Sequence, residues 1–514
     1  MSAQCQTGVV FEYAKWIGGS ASVAFAAFDR SGNVYLAGTS TSGDFPATGS
    51  FTGANGNGSI FFVKVDRATG QLRYSFLLRG VTVSGLRGIA AGPRGELHAI
   101  INDNNGPALG PQFAESSSQF VLTLSPEGDR VERSSGLGLC SSPNSPIRVD
   151  RSGKVVVALV CSTNTAPFEQ QYLFRIGRDT VSRTPIPNFQ AQGLAVDSAG
   201  NAIVTGWTWG NRPYAETSQN LPADRTESQR SDVAVVKVGP DGNLVAAVRF
   251  GGPGDDQGIA VDADEAGDIY VFGSTKVSLD RPKPLARFPV TDGAADRNER
   301  DGLFASKLDS SLSQLIWSTY VLSHKDKDRS PRFAWLTGRG EFAVATSKFL
   351  TMVSTDGRNV SDQTRVASGH ASIAGSGGYA LVFSARRYPH TARAEPLIPT
   401  GERYSWFASI DLYREDAPEL ELSVGELEFA ALALPHDGTS YASGMPVGVR
   451  AGEGGFELVH GELGGHEFDV PNDTPSEIVS GPSTLTISSA TSSVVRGRIG
   501  MCSASKMRVR RVAT

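Results

Sequence analysis

The chain has 514 residues, 39% hydrophobic and 20% charged, with 58 glycines and a formal net charge of −5. No apolar run approaches the ~20 residues of a membrane helix, Val155 to Cys161 being among the longest. Gly, Asn, Asp, Ser and Pro cluster between short β-branched or aromatic runs, which excludes a helical or membrane-spanning protein and reads as all-β.

The first residues, MSAQCQTGVVFEY, lack the basic start and apolar core of a secretory signal, which fits either a cytosolic protein or a trimmed mature one. The next stretch, Val10 to Gly19, resembles LVAAVRFGG at Leu244, yet it precedes the first repeat unit instead of closing one. Asp29 to Asp66 then sets the pattern for most of the chain: DRSGNVYLAGTS, a Gly/Ser/Pro-rich loop, and FFVKVD. The first half returns at Asp150, Asp197 and Asp264, and more weakly at Gly92, Gly338 and Gly375; the second half returns in step at Phe120, Tyr172, Val233, Leu303, Phe349 and Trp406. Seven copies spaced by roughly fifty residues mean one supersecondary unit used repeatedly.

Within a unit, an apolar strand leads to an Asp-x-x-Gly turn, where Asp bonds its own backbone and Gly accepts the conformation other residues resist. A returning strand, a variable loop, a third strand, a Gly-containing turn and a fourth strand such as LRYSFLL follow, which is the four-stranded blade of a propeller. The seventh unit has no fourth strand after Leu412, so Val10 to Gly19 is expected to complete it and close the ring. The fold class is therefore an all-β, seven-bladed β-propeller over 1–414. From Glu415 to Ser505 there are 14 acidic and 3 basic residues, and the repeat stops, so 415–514 reads as an acidic C-terminal β domain, a sandwich. The closing KMRVRRVAT reads as a solvated tail and not as a nucleic-acid contact.

Four cysteines are an even number. Cys140 and Cys161 flank the turn at Asp150 at nearly equal distances, so the hairpin sets them opposite one another; Cys5 and Cys502 lie near the termini and are the second expected pair. Disulfides favour an oxidising compartment, hence an extracellular or cell-surface location with a signal already removed. The alternatives are four buried thiols, or a lipidated Cys5, against which Gln4 speaks.

The loops between second and third strands carry a further pattern, GTSTSGDFPATGSF in the first unit and GSTKVSLDRPKPLARFPVTDGA in the fifth. With DxxGNxYxxG before them and FFVKVD or LFASKLD after, they resemble the bacterial SBBP repeat, named for a seven-bladed β-propeller. Phe45-Pro46 and Phe288-Pro289 keep its Phe-Pro pair, and Tyr388-Pro389 is a relic of it. The resemblance implies a secreted or surface-exposed bacterial protein and no particular reaction; its Phe is expected to plug between blades.

Sites were sought by chemistry. There is no GxSxG elbow, and His436, His460 and His466 fit neither HExxH nor a zinc-finger spacing. Asp262, Asp264 and Asp268 look like part of a calcium loop, but the ordinary reading is the same blade turn. GGPGD at Gly251 is too short for a phosphate loop and no helix follows it. No catalytic residue, metal ligand or cofactor is assigned. The long loops of units one, four, five and seven should leave one face, and those of units four and five should form one wall. Trp207, Trp209, Arg212, Tyr214 and Arg287 are the expected ligand-binding residues, because exposed aromatics beside Arg suit a glycan or a surface protein. The reading is a non-enzymatic binding or scaffold protein of undetermined oligomeric state. The alternative is a propeller lyase or glycosidase acting at the central channel, against which the inner strands VAFAAF, GLAV and GIAV offer almost no ionisable groups.

Overall fold

In the computed structural model the residues described within 10–413 are all but 19, 42–44, 46, 53–57, 82–84, 103–117, 142–144, 163–168, 187, 210–217, 221–230, 253, 277–287, 298–301, 324–330, 347–348, 362–363, 366–371, 385–394 and 399–404; beyond 413 only strand segments are described. Two compact units are present, Lys15–Arg387 with Pro396–Phe407, and Met1–Ala14 with Tyr388–Glu395 and Ala408–Thr514.

Seven sheets are built to one plan, and the strands of each are called A to D from first to last. Blade 1 runs Ala21–Phe28, Val34–Ser40, Gly58–Asp66 and Gln71–Val81; blade 4 runs Gln190–Val196, Ala202–Trp209, Ser231–Val238 and Leu244–Phe250; blade 5 runs Asp256–Ala263, Ile269–Thr275, Gly302–Leu308 and Leu315–Ser323. The other A strands are Leu86–Ala91, Ile147–Val149, Pro331–Leu336 and Ser372–Ser376 in blades 2, 3, 6 and 7. Each A strand touches the next, and the seventh touches the first, so the sheets form a closed ring around a central channel.

The seventh sheet takes its fourth strand from the N-terminus, in the order Ser372–Ser376, Tyr379–Ser384, Ser405–Asp411, Val10–Ile17, Glu395–Ile398. Gly18 N donates to Ile398 O at 2.9 Å, Val23 N to Ser405 Oγ at 3.1 Å, and the Arg67 guanidinium lies 3.4 Å over the Tyr379 ring. The expected closure is thus how the ring is built, and it leaves no free seam.

The turn Asp does what its position requires. Asp29 accepts the N–H groups of Ser31 and Asn33 at 2.9 Å each, and Gly32 has φ +82°. Cross-strand neighbours lock the turns to the following blade: Tyr35 Oη donates to Gly95 O at 2.8 Å, Arg175 to Gly200 O at 3.0 Å, and Lys237 to Ser310 O at 3.1 Å. Lys237 also meets Asp197 at 3.0 Å, both side chains being buried.

Cys140 and Cys161 are directly opposite in the ladder and joined by a disulfide. Cys5 and Cys502 lie outside the described residues.

One feature of the A strands was not expected. In blades 1, 2, 4, 5 and 6 the A–B register shifts at the same place, so Ala24, Arg87, Gln192, Ile259 and Arg332 are bulged residues.

In the second unit, Ser409 Oγ donates to Glu12 Oε2 at 2.7 Å. Its described C-terminal residues form one five-stranded sheet, Leu420–Ser423, Val494–Gly497, Leu485–Ser488, Met507–Val512 and Val479–Ser480, and two short hairpins, Gly448–Gly452 with Gly455–Val459 and Glu462–Leu463 with His466–Glu467.

Candidate functional site

Strands alternate in direction, so the B–C loops and D–A connections share one end of the ring, and the A–B and C–D turns share the other. Strand B of blade 4 carries two of the expected site residues to the loop end. Trp207 is half-buried and pairs with Gln190 on one side and Val233 on the other; Trp209 pairs with Ser231 at the strand's last position. Between them Thr208 is buried and donates to Asn188 O at 2.7 Å. The Trp209 side chain, Arg212, Tyr214 and Arg287 lie outside the described residues.

Beside these tryptophans is a polar cluster that the sequence reading passed over. Asp232 forms a buried ion pair with Arg249 Nε, joining strands C and D of blade 4. Asp255 accepts Ser231 N at 3.2 Å, and its main-chain oxygen accepts Lys276 N at 3.1 Å, tying blade 4 to blade 5. Asp256 is fully buried; its Oδ2 accepts Gly252 N at 2.6 Å, and the Thr275 side chain hydrogen-bonds to the same carboxyl. Burial, reinforced by the nearby Asp232 and Asp255 charges, pushes the Asp256 carboxyl up to about 8, so it carries a proton at neutral pH. A Cβ on Gly251 would lie 2.5 Å from Asp232 Oδ1 and 2.6 Å from Asp256 Oδ2, which explains the GGPGD run: the backbone must pass between two carboxylates. Asp256 is inaccessible to solvent, so its part in the cluster is to support the loop end from beneath.

The described parts of the long loops cross to the outer edges of their own blades, while most of the expected blade 4 and blade 5 wall lies outside the described residues. Gly49–Thr52 pairs in parallel with strand D of blade 1, and Ser218–Asn220 with strand D of blade 4. In blade 5, Thr291 N donates to Ser318 O at 3.1 Å and Ser318 N to Thr291 Oγ1 at 3.0 Å, the same bonds that join Thr48 to Ser75 in blade 1 at 2.6 and 3.1 Å. In blade 7, Glu395–Ile398 flanks the N-terminal strand. The Phe of the Phe-Pro pair anchors the crossing. Phe45 stacks on Phe61 at 5.1 Å, and Phe288 sits 4.2 Å from Phe304 of its own blade and 5.9 Å from Phe250 of blade 4, plugging the seam between them. Tyr388-Pro389 lies outside the described residues. Loop length in these blades therefore serves, in part, to cover edges that would otherwise be open to pairing.

The channel holds more charge than the inner-strand sequences promised. Arg148, on strand A of blade 3, reaches the Phe333 ring of blade 6 at 5.9 Å, a contact between blades that are not neighbours and so one made across the channel. Asp262, on strand A of blade 5, accepts Leu336 N of blade 6 at 2.8 Å and acts electrostatically on Arg148. Desolvation lowers the Arg148 pKa against the pull of Asp262, and raises that of Asp262. Asp262 is therefore a strand residue, whereas Asp264 and Asp268 belong to the turn and share Lys307 at 3.2 and 3.0 Å. Among the described residues no group of acidic, His or Cys side chains is arranged to hold a metal ion.

No family model matches the chain, and no curated protein matches it. Solved propellers resemble it in outline. A virginiamycin B lyase from Staphylococcus aureus is 8% identical with a TM-score of 0.42, over 77% of this chain and 98% of that one. The Cps50 (Swd1) β-propeller domain of Myceliophteria thermophila is 9% identical with a TM-score of 0.42, over 76% and 97%. The polysaccharide lyase Uly1 is 9% identical with a TM-score of 0.42, over 78% and 100%. At these values the likeness carries no argument about activity, and the chain is a seven-bladed β-propeller on the evidence of its own sheets.

Proposed function

We propose that the protein is a non-enzymatic binding or scaffold propeller of the SBBP-repeat kind, extracellular or on a cell surface, which recognises a glycan or a protein partner at the loop end of blades 4 and 5. The observation that carries this reading is the cluster of the buried Asp232, Arg249 and Asp256 with the half-buried Asp255. It braces the end of blade 4 at which Trp207 lies and strand B ends at Trp209, next to the chain segments that carry Arg212, Tyr214 and Arg287 in the sequence, and a binding surface needs rigid support under its loops. The Cys140–Cys161 disulfide fits an oxidising compartment. The competing reading, catalysis at the channel, draws on Arg148 and Asp262, but Arg148 lies across the channel against Phe333.

The test is a glycan and surface-protein binding screen with Trp209→Ala and Arg212→Ala. Truncating an anchor residue should weaken attachment by about 2 kcal/mol, near thirtyfold, with thermal unfolding unchanged. A large loss of stability, or binding that neither substitution alters, overturns the assignment of these residues.

A further inference from the structure

The turn end of the ring carries an uneven charge over three successive blades. On blade 3, Arg151 and Lys154 of the A–B turn, Arg178 of the C–D turn and Arg183 of strand D, Val181–Ile186, are all exposed, with Asp179 the one exposed acid in those segments. On blade 5 the A–B turn holds Asp264, Glu265 and Asp268, and Asp309 opens the C–D turn; Lys307 balances part of this charge and Glu265 projects into solvent. Arg151 and Glu265 occupy the same position of the repeat, the second residue of DRSG and of DEAG. Blade 4, between them, has Ser198 and Ala199 in that turn and a single exposed acid, Asp241, in its C–D turn, and its strand D begins with Leu244 and Val245, 39% and 51% exposed. Ile316, near the same end of strand D in blade 5, is 42% exposed. Exposed aliphatic side chains with cations on one side and acids on the other make a self-complementary surface.

We propose that this end of the ring docks on a second copy of the chain, as an isologous dimer whose two-fold axis runs along the radius of blade 4. That rotation sets blade 3 of each copy over blade 5 of the other, A–B turns facing A–B turns and C–D turns facing C–D turns. Arg151 then faces Glu265 of the partner subunit, and symmetry makes the contact twice. Leu244 and Val245 lie along the axis and meet their own symmetry mates, giving the apolar centre that a stable interface needs inside its polar rim. Both loop ends point outward, so the dimer is bivalent. The proposal uses none of the residues of the proposed ligand site and stands or falls separately from it.

The experiment is sedimentation of the full chain over a concentration series, alone and with two charge reversals at exposed turn positions. The native chain is expected to dimerise, less tightly as salt rises. Arg151→Glu and Glu265→Arg should each weaken the dimer at least about tenfold by placing like charges at both symmetric contacts, without altering thermal unfolding. An equimolar mixture of the two variants should recover the dimer, because a heterodimer places Glu against Arg at both contacts. A native chain that stays monomeric at every concentration, or variants that fail to complement when mixed, would overturn the proposal.

Discussion

Blades 1 and 2 solve the same local problem with different residues. In blade 1, Asp29 opens the first turn, accepts Ser31 N at 2.9 Å and the Tyr35 hydroxyl at 3.0 Å, and has Lys64 at 3.9 Å. In blade 2, Gly92 stands at that position; its carbonyl still accepts Gly95 N at 3.1 Å, but it has no side chain to accept with. Glu96, four residues on and 1% exposed, folds its carboxylate back and accepts Arg94 N at 2.9 Å. A Cβ on Gly92 would come within 2.3 Å of Glu96 Cδ, so the glycine is what admits the glutamate. The cross-strand pair Tyr35–Lys64 becomes His98–Thr123, joined at 3.0 Å, and burial holds His98 down to about 4, hence neutral. In both blades a carboxylate accepts the N–H two residues into the turn, and the residue that delivers it changes together with its neighbour.

The junction between blade 7 and the N-terminal strand extends the comparison to a seam without chain continuity, and there the largest effect is expected. Deleting 1–19 removes the fourth strand of blade 7 and should abolish cooperative unfolding or cause aggregation. A truncated chain that unfolds as sharply as the full one would show that ring closure is dispensable.

Asp256 sharpens the comparison, since it is more deeply buried than Asp29 and lies near the acids Asp232 and Asp255 where Asp29 has Lys64. A carboxyl raised to about 8 in the folded state contributes stability that is fully present below its unfolded value, near 3.8, and is lost as pH rises through about 8. Denaturant unfolding across that window should show the native chain weakening by at least about 1 kcal/mol, and Asp256→Asn should flatten the trend. An unchanged slope in the variant would mean that Asp256 is ionised in the folded protein.

The blade count, the closing strand and the Cys140–Cys161 pair were legible in the sequence because each depends on register, which the Asp-x-x-Gly turns set. The seam-filling role of Phe288 was legible only through the resemblance to the SBBP repeat, whose Phe-Pro pair the loop keeps. The crossing of the long loops to the outer edges was not, because parallel pairing of 49–52 or 218–220 with strand D leaves no alternation that distinguishes it from loop. Arg148 and Asp262 were missed in the channel because Arg148 is a single polar residue in a short apolar strand, Asp262 reads as part of the turn, and their meeting depends on blades far apart in the chain. The substitution of Glu96 for Asp29 was hidden by counting columns: Gly92 reads as a degenerate copy until the glutamate is traced back to it.

A double-mutant cycle at that turn tests the central claim most directly, that the repeat preserves the place of a carboxylate and not the residue. Gly92→Asp alone forces a second buried acid against Glu96 and should cost about 2 kcal/mol or more; Glu96→Asn alone removes the carboxylate and should cost about as much. Combined, they rebuild the Asp-x-x-x-Asn arrangement of blade 1, and the pair is expected to be close to native stability, with a coupling of roughly 3 kcal/mol. Costs that simply add in the double variant would contradict the account.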